Sequence, residues 1–423
     1  MLQIYRWLII FFFPFAQLLI FCRVIFNKED KTRYKEKIFS SCFKPRRNLN
    51  KKLYWFHVAS VGELISVLPL ISDINSFNKN IDFLITTVTL SSARLVEKKL
   101  NKYSNIAHRF FPLDTEKLSE EFLNVWKPDL VFFVDSEIWP NFLFKIKENN
   151  IPLILVNGRI TKKSFNRWKI FPNFAREVFG NFDLCLAASE ESKKNLEKLH
   201  VKKLLYIGNL KFTVKNKKEV FDTLNTEKLN KFKAWCAAST HEGEELLALK
   251  THVEIKKKYN NILTIIIPRH IDRVLDIKKL SKKFNLKSQI LTHNESINPN
   301  IEILIINSFG VLHQYFNYCK TIFIGKSFIK KLKFVGGQNP IEAAKYGCKI
   351  LHGPYVYNFK EIYDLLNTHG ISEQIENEND LSRKIVKDFE TPKEIDEQKL
   401  NWLEIHGDKI LKQTIKELHM FIN

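Results

Sequence analysis

Acidic residues are in short supply in this chain: 46 Asp and Glu face 67 Lys and Arg over 423 residues, a formal net charge of +21. Cysteine is scarce too. The six present, Cys22, Cys42, Cys185, Cys236, Cys319 and Cys348, are scattered, without a CxxC pair or metal-ligand spacing. That excludes a disulfide framework or a zinc ribbon and fits a reducing compartment. No small-x-small cleavage site follows the apolar N-terminus, and basic residues come at once, so a cleaved secretory signal is not expected. The positive charge comes with no recognised binding motif and no basic face interleaved with aromatics. A membrane-tethered nucleic-acid binder, the reading that charge alone invites, is therefore unsupported. With 45% hydrophobic and 27% charged residues the chain is a folded globular protein, long enough for two or three domains.

What is present is unevenly distributed. Residues 23–52 carry 11 Lys and Arg against 3 Asp and Glu, whereas residues 371–423 carry 8 against 12. The basic block follows the most apolar segment, residues 7–22, which is uncharged between Arg6 and Arg23. As a helix, those 16 residues cover roughly 24 Å, slightly less than a hydrocarbon core of about 30 Å. Spanning requires the arginines to snorkel and Pro14 to be tolerated; the alternative is a helix lying in the interface. Either arrangement tethers the protein to a membrane, and the basic flank places the rest in the cytoplasm.

Beyond residue 50, short apolar runs alternate with helical stretches, the rhythm of parallel βα units. Strands are expected over residues 53–59, 81–87, 129–134, 151–156, 184–188 and 204–207. After a polar, Lys- and Asn-rich pause they resume over 234–238, 262–267, 301–306, 321–324 and 349–352. The expected division is an anchor over 1–26, a basic juxtamembrane segment over 27–52, and an N-terminal Rossmann-like domain over 53–214. A linker over 215–232, a C-terminal Rossmann-like domain over 233–395 and a terminal helix over 396–423 complete it. In such doubly wound α/β sheets ligands bind beyond the carboxyl ends of the strands.

The loops there are distinctive. Residues 335–342, Val-Gly-Gly-Gln-Asn-Pro-Ile-Glu, place Gly336 and Gly337 on a turn before a helix, where N–H groups can face an anion. The same Asn339-Pro340 pair also suits an ordinary helix start. Glu63, after the Gly62 turn that closes the first strand, is either a helix-capping acid or a general base kept ionised by the helix dipole. Asp135 and Glu137 sit together at another strand end, though Glu137 also suits a helix cap. Ser239 and Thr240 open a helix after a strand, able to meet a phosphate or to form a capping box. Arg269, in Pro268-Arg269-His270, suits a phosphate clamp. Lys211 follows the last strand of the first half.

In this order the blocks resemble one family, the 3-deoxy-D-manno-octulosonic acid (Kdo) transferases. The matching stretches are HVASVGE at 57–63, SEIWPN at 136–141, GNLKF at 208–212, ASTHEGEE at 238–245, PRH at 268–270 and GGQNPIEAA at 336–344. Gly353-Pro354 with Asn358-Phe359-Lys360 adds a seventh. The resemblance implies a GT-B glycosyltransferase that moves Kdo from CMP-Kdo to a lipid A precursor with inversion, at the cytoplasmic side of the inner membrane, without metal or other cofactor. It implies Glu63 as general base, with Asp135 or Glu137 and Lys211 supporting transition-state charge. Ser239, Thr240, Pro268, Arg269, Gly310, Val311, Leu312, Gly337, Asn339, Pro340, Ile341 and Glu342 would hold the donor, and Arg94 the acceptor phosphates. A GT-B transferase using a UDP-sugar on another membrane lipid is the nearest alternative.

Four positions depart from the family pattern: Asp135 for a glutamate, Thr213 for an aspartate, Asn307 for an acid and Gln338 for a histidine. The stretch 325–333 is also more basic than the family's.

Overall fold

A computed structural model describes the chain except residues 46–49, 101–102, 216–222, 293–294, 309, 392–395 and 423. Parts of the expected juxtamembrane segment and linker therefore lie outside the described residues. The chain divides into two compact units, residues 1–214 with 406–423, and residues 215–405.

The first unit begins with α1 (Leu2–Ile25), the one helix among the described residues that is long and apolar enough to cross a membrane. Its strands are β1 (Lys52–Val58), β2 (Ile81–Thr87), β3 (Ile106–Phe110), β4 (Leu130–Val134), β5 (Leu153–Gly158), β6 (Leu184–Ala187) and β7 (Leu204–Tyr206). Between them run α2 (Val61–Phe77), α3 (Leu90–Leu100), α4 (Glu116–Trp126), α5 (Pro140–Glu148), α6 (Lys162–Trp168), α7 (Pro172–Phe179) and α8 (Glu190–Lys198). All described pairings are parallel, in the order β3-β2-β1-β4-β5-β6-β7. The chain thus leaves β1 in one direction and returns to the other side at β4, so the switch point lies between them.

The second unit repeats the plan. Helix α9 (Thr223–Leu229) precedes β8 (Lys233–Thr240), β9 (Ile262–Pro268), β10 (Ser288–Leu291), β11 (Ile303–Ile306), β12 (Thr321–Ile324), β13 (Lys349–His352) and β14 (Ser372–Gln374). Its other helices are α10 (Glu244–Lys256), α11 (Val274–Lys283), α12 (Leu312–Phe316), α13 (Ile341–Lys345), α14 (Lys360–Thr368) and α15 (Glu378–Glu390), whereas α16 (Glu397–Ile422) begins in this unit and belongs from residue 406 to the first. The order β10-β11-β9-β8-β12-β13-β14 is again parallel and puts the switch point between β8 and β12.

Central strands are buried on both faces, as helices on either side of a parallel sheet require, and each sheet has its own apolar core. Three strands were not expected from the sequence: β3, β10 and β14. All three lie at sheet edges, where only one neighbour is needed and partly exposed residues replace the apolar run.

Candidate active site at the strand ends

Glu63 follows β1 and Asp135 and Glu137 follow β4, so the three acids flank the first unit's switch point. The Ser60 side chain accepts from Glu63 N (3.4 Å) as the N-cap of α2. The Glu63 carboxylate in turn accepts from Ala59 N (2.7 Å) and Ser60 Oγ (2.9 Å). Capping and candidate base are thus one residue. The expectation that this position favours the ionised form is reversed. Burial, then the nearby negative charges of Asp135 and Glu137, outweigh the two hydrogen bonds and push the Glu63 carboxyl up to about 7.

Glu137 is tuned the other way. Burial would raise its carboxyl, but hydrogen bonds with His57 (3.3 Å) and from Trp139 Nε1 (2.9 Å) hold it below the usual carboxylate range. It does not cap α5, whose N-cap is Trp139. His57 was not singled out as a functional residue in the sequence, yet it orients this acid. Fully buried at the end of β1, it hydrogen-bonds Thr86 Oγ1 through Nδ1 (2.9 Å) and stacks on Phe111 at 3.8 Å. The signal was available: a histidine one residue from the end of a strand that is otherwise apolar after its first residue.

Asp135 is buried and sits at φ 60°, in the left-handed region. Its N–H continues the ladder to Val156 O (3.1 Å) while its carbonyl accepts from Arg159 N (2.9 Å), which locks the residue in that conformation. Asn157, Ser239 and Lys326 have the same backbone at the ends of β5, β8 and β12. Non-glycine residues held there cost free energy and concentrate at functional sites. Lys211 lies on a 3-10 turn, Leu210–Thr213, that packs against α2. Asn209 caps that turn, Asn157 Oδ1 accepts from Leu210 N (2.9 Å), and Thr213 Oγ1 closes it onto Leu210 O (2.8 Å). The hydroxyl that replaces the family's acid at 213 is thus used internally. Arg94 is exposed on α3 and lines a cavity of about 390 Å³ with Glu29, Asp30, Lys31, Thr32 and Glu97.

In the second unit, buried Glu244 ties the switch point together. Its carboxylate accepts from His241 N (2.9 Å) after β8 and from Lys326 N (2.7 Å), Ser327 N (2.8 Å) and Phe328 N (3.0 Å) after β12. A Cβ on Gly325 would meet Ser239 O at 2.6 Å, so only glycine lets the two loops approach. Thr240 is fully buried with its hydroxyl on Glu245 (3.3 Å), whose carboxylate also takes two bonds from Arg273 (3.2 Å each). That hydroxyl serves the frame rather than a ligand. Ser239 is partly exposed; Arg269 and His270 are exposed beyond β9, and Gly310 is exposed at φ 75° before Val311 and Leu312 at the start of α12.

The Gly336-Gly337 pair corrects another expectation. Gly337 N donates to Lys326 O (2.6 Å), and a Cβ on Gly336 would lie 2.1 Å from Tyr355 O. The glycines permit backbone to pack on backbone, and the Gly337 N–H is committed inside the protein rather than offered to an anion. Asn339 Oδ1 accepts from Ile341 N (3.2 Å); Pro340 and Ile341 are buried, and Glu342, on the first turn of α13, keeps exposed surface although burial around its carboxyl raises it above the usual carboxylate range.

The comparisons with known proteins bear on family and fold. The family described as 3-Deoxy-D-manno-octulosonic-acid transferase (kdotransferase) matches residues 32–214. A Rickettsia bellii protein named 3-deoxy-D-manno-octulosonic acid transferase is 32% identical over 359 residues, covering 84% of this chain and 82% of that one. One of the same name from Haemophilus influenzae is 28% identical and covers 74% and 73%. Among solved structures, a glycosyltransferase from Rickettsia africae matches with a TM-score of 0.56 at 13% identity, over 88% of this chain and 99% of that one. A UDP-N-acetylglucosamine 2-epimerase matches at 0.59 with 14% identity, over 88% and 97%. These solved structures speak to the fold, a GT-B arrangement of two Rossmann-like domains.

Proposed function

The chain belongs to the 3-deoxy-D-manno-octulosonic acid transferase family, a family of glycosyltransferases, and on that premise we propose that it transfers Kdo from CMP-Kdo to a lipid A precursor with inversion, in lipopolysaccharide biosynthesis. In this reading Glu63 takes the proton of an acceptor hydroxyl as that oxygen forms a bond to the anomeric carbon of Kdo. The bond from that carbon to the CMP phosphate breaks, and CMP leaves with the electron pair. The positive end of a polarised sugar is then served by the carboxylates of Asp135 and Glu137. The negative charge gathering on the nucleotide falls to Lys211 and to Arg269 after β9, while Ser239, the Gly310–Leu312 loop and Asn339–Glu342 hold CMP, Glu342 accepting from a ribose hydroxyl. Arg94 takes an acceptor phosphate beside the cavity at α3. No metal or other cofactor is assigned a role, and the protein works at the cytoplasmic face of the inner membrane.

The observation that carries the reading is the Glu63 carboxyl, pushed up to about 7 at the switch point of the first sheet. A base titrating near the operating pH is both deprotonated and strong enough to accept a proton, the compromise that general-base catalysis favours. Two further acids beside it maintain that basicity, and one of them, Glu137, is held ionised by His57 and Trp139.

The test is mass spectrometry of a lipid A precursor incubated with CMP-Kdo and the full chain, with UDP-sugars in parallel and with EDTA in a further sample. Product enlarged by one or more Kdo units is expected from CMP-Kdo alone, and EDTA is expected to leave its rate unchanged. Glu63→Gln is expected to lower the rate by roughly 10²- to 10⁴-fold while CMP still binds. Transfer from a UDP-sugar would overturn the donor assignment, and wild-type turnover by Glu63→Gln would remove the base.

A further inference from the structure

Helix α1 is long and apolar enough to cross a membrane, but one of its faces packs along the surface of the first unit. Buried or half-buried positions recur every three or four residues from one end to the other: Leu2, Arg6, Ile9, Phe13, Ala16 with Gln17, Ile20 and Arg23. That is one continuous stripe on a 3.6-residue helix. Leu2, Tyr5 and Phe13 pack against the first unit's core. The opposite face, with Trp7, Phe11, Phe15, Leu18 and Ile25, is exposed throughout.

Both ends of the helix are fastened to the same unit. At the first turn Tyr5 Oη donates to buried Asp114 (2.7 Å), and the buried Arg6 guanidinium donates to Asn141 Oδ1 (3.2 Å) and pairs with Glu116 (2.7 Å). At the other end Arg23 pairs with buried Glu29 (2.9 Å), which also holds Lys37 (2.6 Å). Lys37 in turn donates to Val88 O (2.8 Å) at the start of the segment leading into α3. A spanning helix of 24 residues, about 36 Å long, would have to deliver its first turn to the far side of a core of about 30 Å. Here that turn is bonded to the loop before α4 and to α5, so crossing would strip Asp114 of Tyr5 and carry the Arg6 charge through hydrocarbon.

A second apolar element adjoins the first turn. Phe174 of α7 touches Tyr5 (5.9 Å) and Trp168 of α6 (6.2 Å), and the corner between α6 and α7 exposes Ile170 and Phe171. Exposed Lys162, Lys163, Arg167 and Lys169 surround that corner. Apolar side chains rimmed by positive charge fit an anionic lipid surface. We propose that α1 does not cross the membrane but lies in the plane of an anionic bilayer surface, with the Ile170-Phe171 corner as a second point of insertion. The whole chain then stays on one side, and the first unit rests flat on the lipid. The proposal is independent of donor and acceptor identity.

The experiment uses the full chain with Gln3→Cys in a Cys22→Ser, Cys42→Ser background, added to sealed vesicles of three parts phosphatidylcholine to one of phosphatidylglycerol. A membrane-impermeant maleimide is expected to label position 3 without detergent; protection until detergent is added would overturn the in-plane helix. A second variant, Ile170→Asp with Phe171→Asp, leaves α1 intact and is expected to weaken vesicle partitioning by roughly tenfold or more. Unchanged partitioning would remove the second insertion point. A wild-type dimer in lipid-free solution that does not bind these vesicles would show instead that a second copy covers the face, and would overturn the proposal.

Discussion

Two carboxylates of one loop cluster are pushed in opposite directions by their immediate neighbours. Glu63 is raised by burial and by like charge, and Glu137 is lowered by His57 and Trp139. For Glu63, with an ordinary value of 4.5 and a folded value of about 7, only the deprotonated form acts as base. The kcat/KM profile is therefore expected to rise about tenfold per pH unit below 7 and to level off above it, the limb vanishing in Glu63→Gln. Stability runs in the opposite sense. A carboxyl raised on folding favours the fold fully below its unfolded value, and that contribution is lost as pH climbs through the folded value. Thermal melts of Glu63→Gln and wild type at pH 5 and pH 8 are thus expected to show the variant gaining on wild type at pH 8. A Tm difference independent of pH would remove this coupling. The sequence placed Glu63, Asp135 and Glu137 correctly at strand ends but mistook the balance at Glu63, because a helix dipole is visible in local sequence and burial is not. His57 shows the same limit, since its partner Glu137 lies 80 residues away in the chain.

At the scale of elements, strands with apolar runs were legible and edge strands were not. β2, β12 and β13 have the bounds expected from their apolar runs, whereas β3, β10 and β14 carry too few buried residues to stand out. The glycines of the second unit were legible as special positions, but for a different reason than anion binding. Gly353 is the clearest: a Cβ there would lie 2.2 Å from Ser327 O and 2.5 Å from Phe328 Cα, while its N–H donates to Ser327 Oγ (2.9 Å). Gly353→Ala must push apart the loop that Glu244 gathers. Overpacking of this kind costs about 1–3 kcal/mol, which for a unit of this size lowers Tm by roughly 2–12 °C. Calorimetry should show that loss, and isothermal titration should show weakened CMP binding as the loop moves. A variant with unchanged Tm would mean that the loop yields freely.

At the scale of the whole molecule, the two-domain plan was readable from the rhythm of βα units, but the route of the chain's last residues was not. Residues 406–423 return to the first unit. Gly407 approaches Phe212 so closely that a Cβ would lie 2.2 Å from its carbonyl oxygen, His406 meets the Phe212 ring at 4.9 Å, and Ile410 lies against Gly208. Ile410, Leu411 and Leu418 are buried there. At about 1.5–3 kcal/mol for each such side chain, deleting 406–423 removes roughly 5–9 kcal/mol, comparable with the stability of an ordinary domain. Limited proteolysis of the truncated chain is expected to degrade the first unit and spare a fragment near 215–405. Equal resistance of both units would show that the return contributes little.

That return also sets a timetable for synthesis. The part of the first unit that holds Glu63 and Lys211 emerges from the ribosome first, yet its closing helix is made last, after the entire second unit. At roughly 5–20 residues per second, the gap between residues 214 and 423 is roughly 10–40 s. During that wait α1 is already outside the ribosome with its apolar face uncovered, so on the two proposals above it is available to a lipid surface before the unit proposed to hold the acceptor is complete.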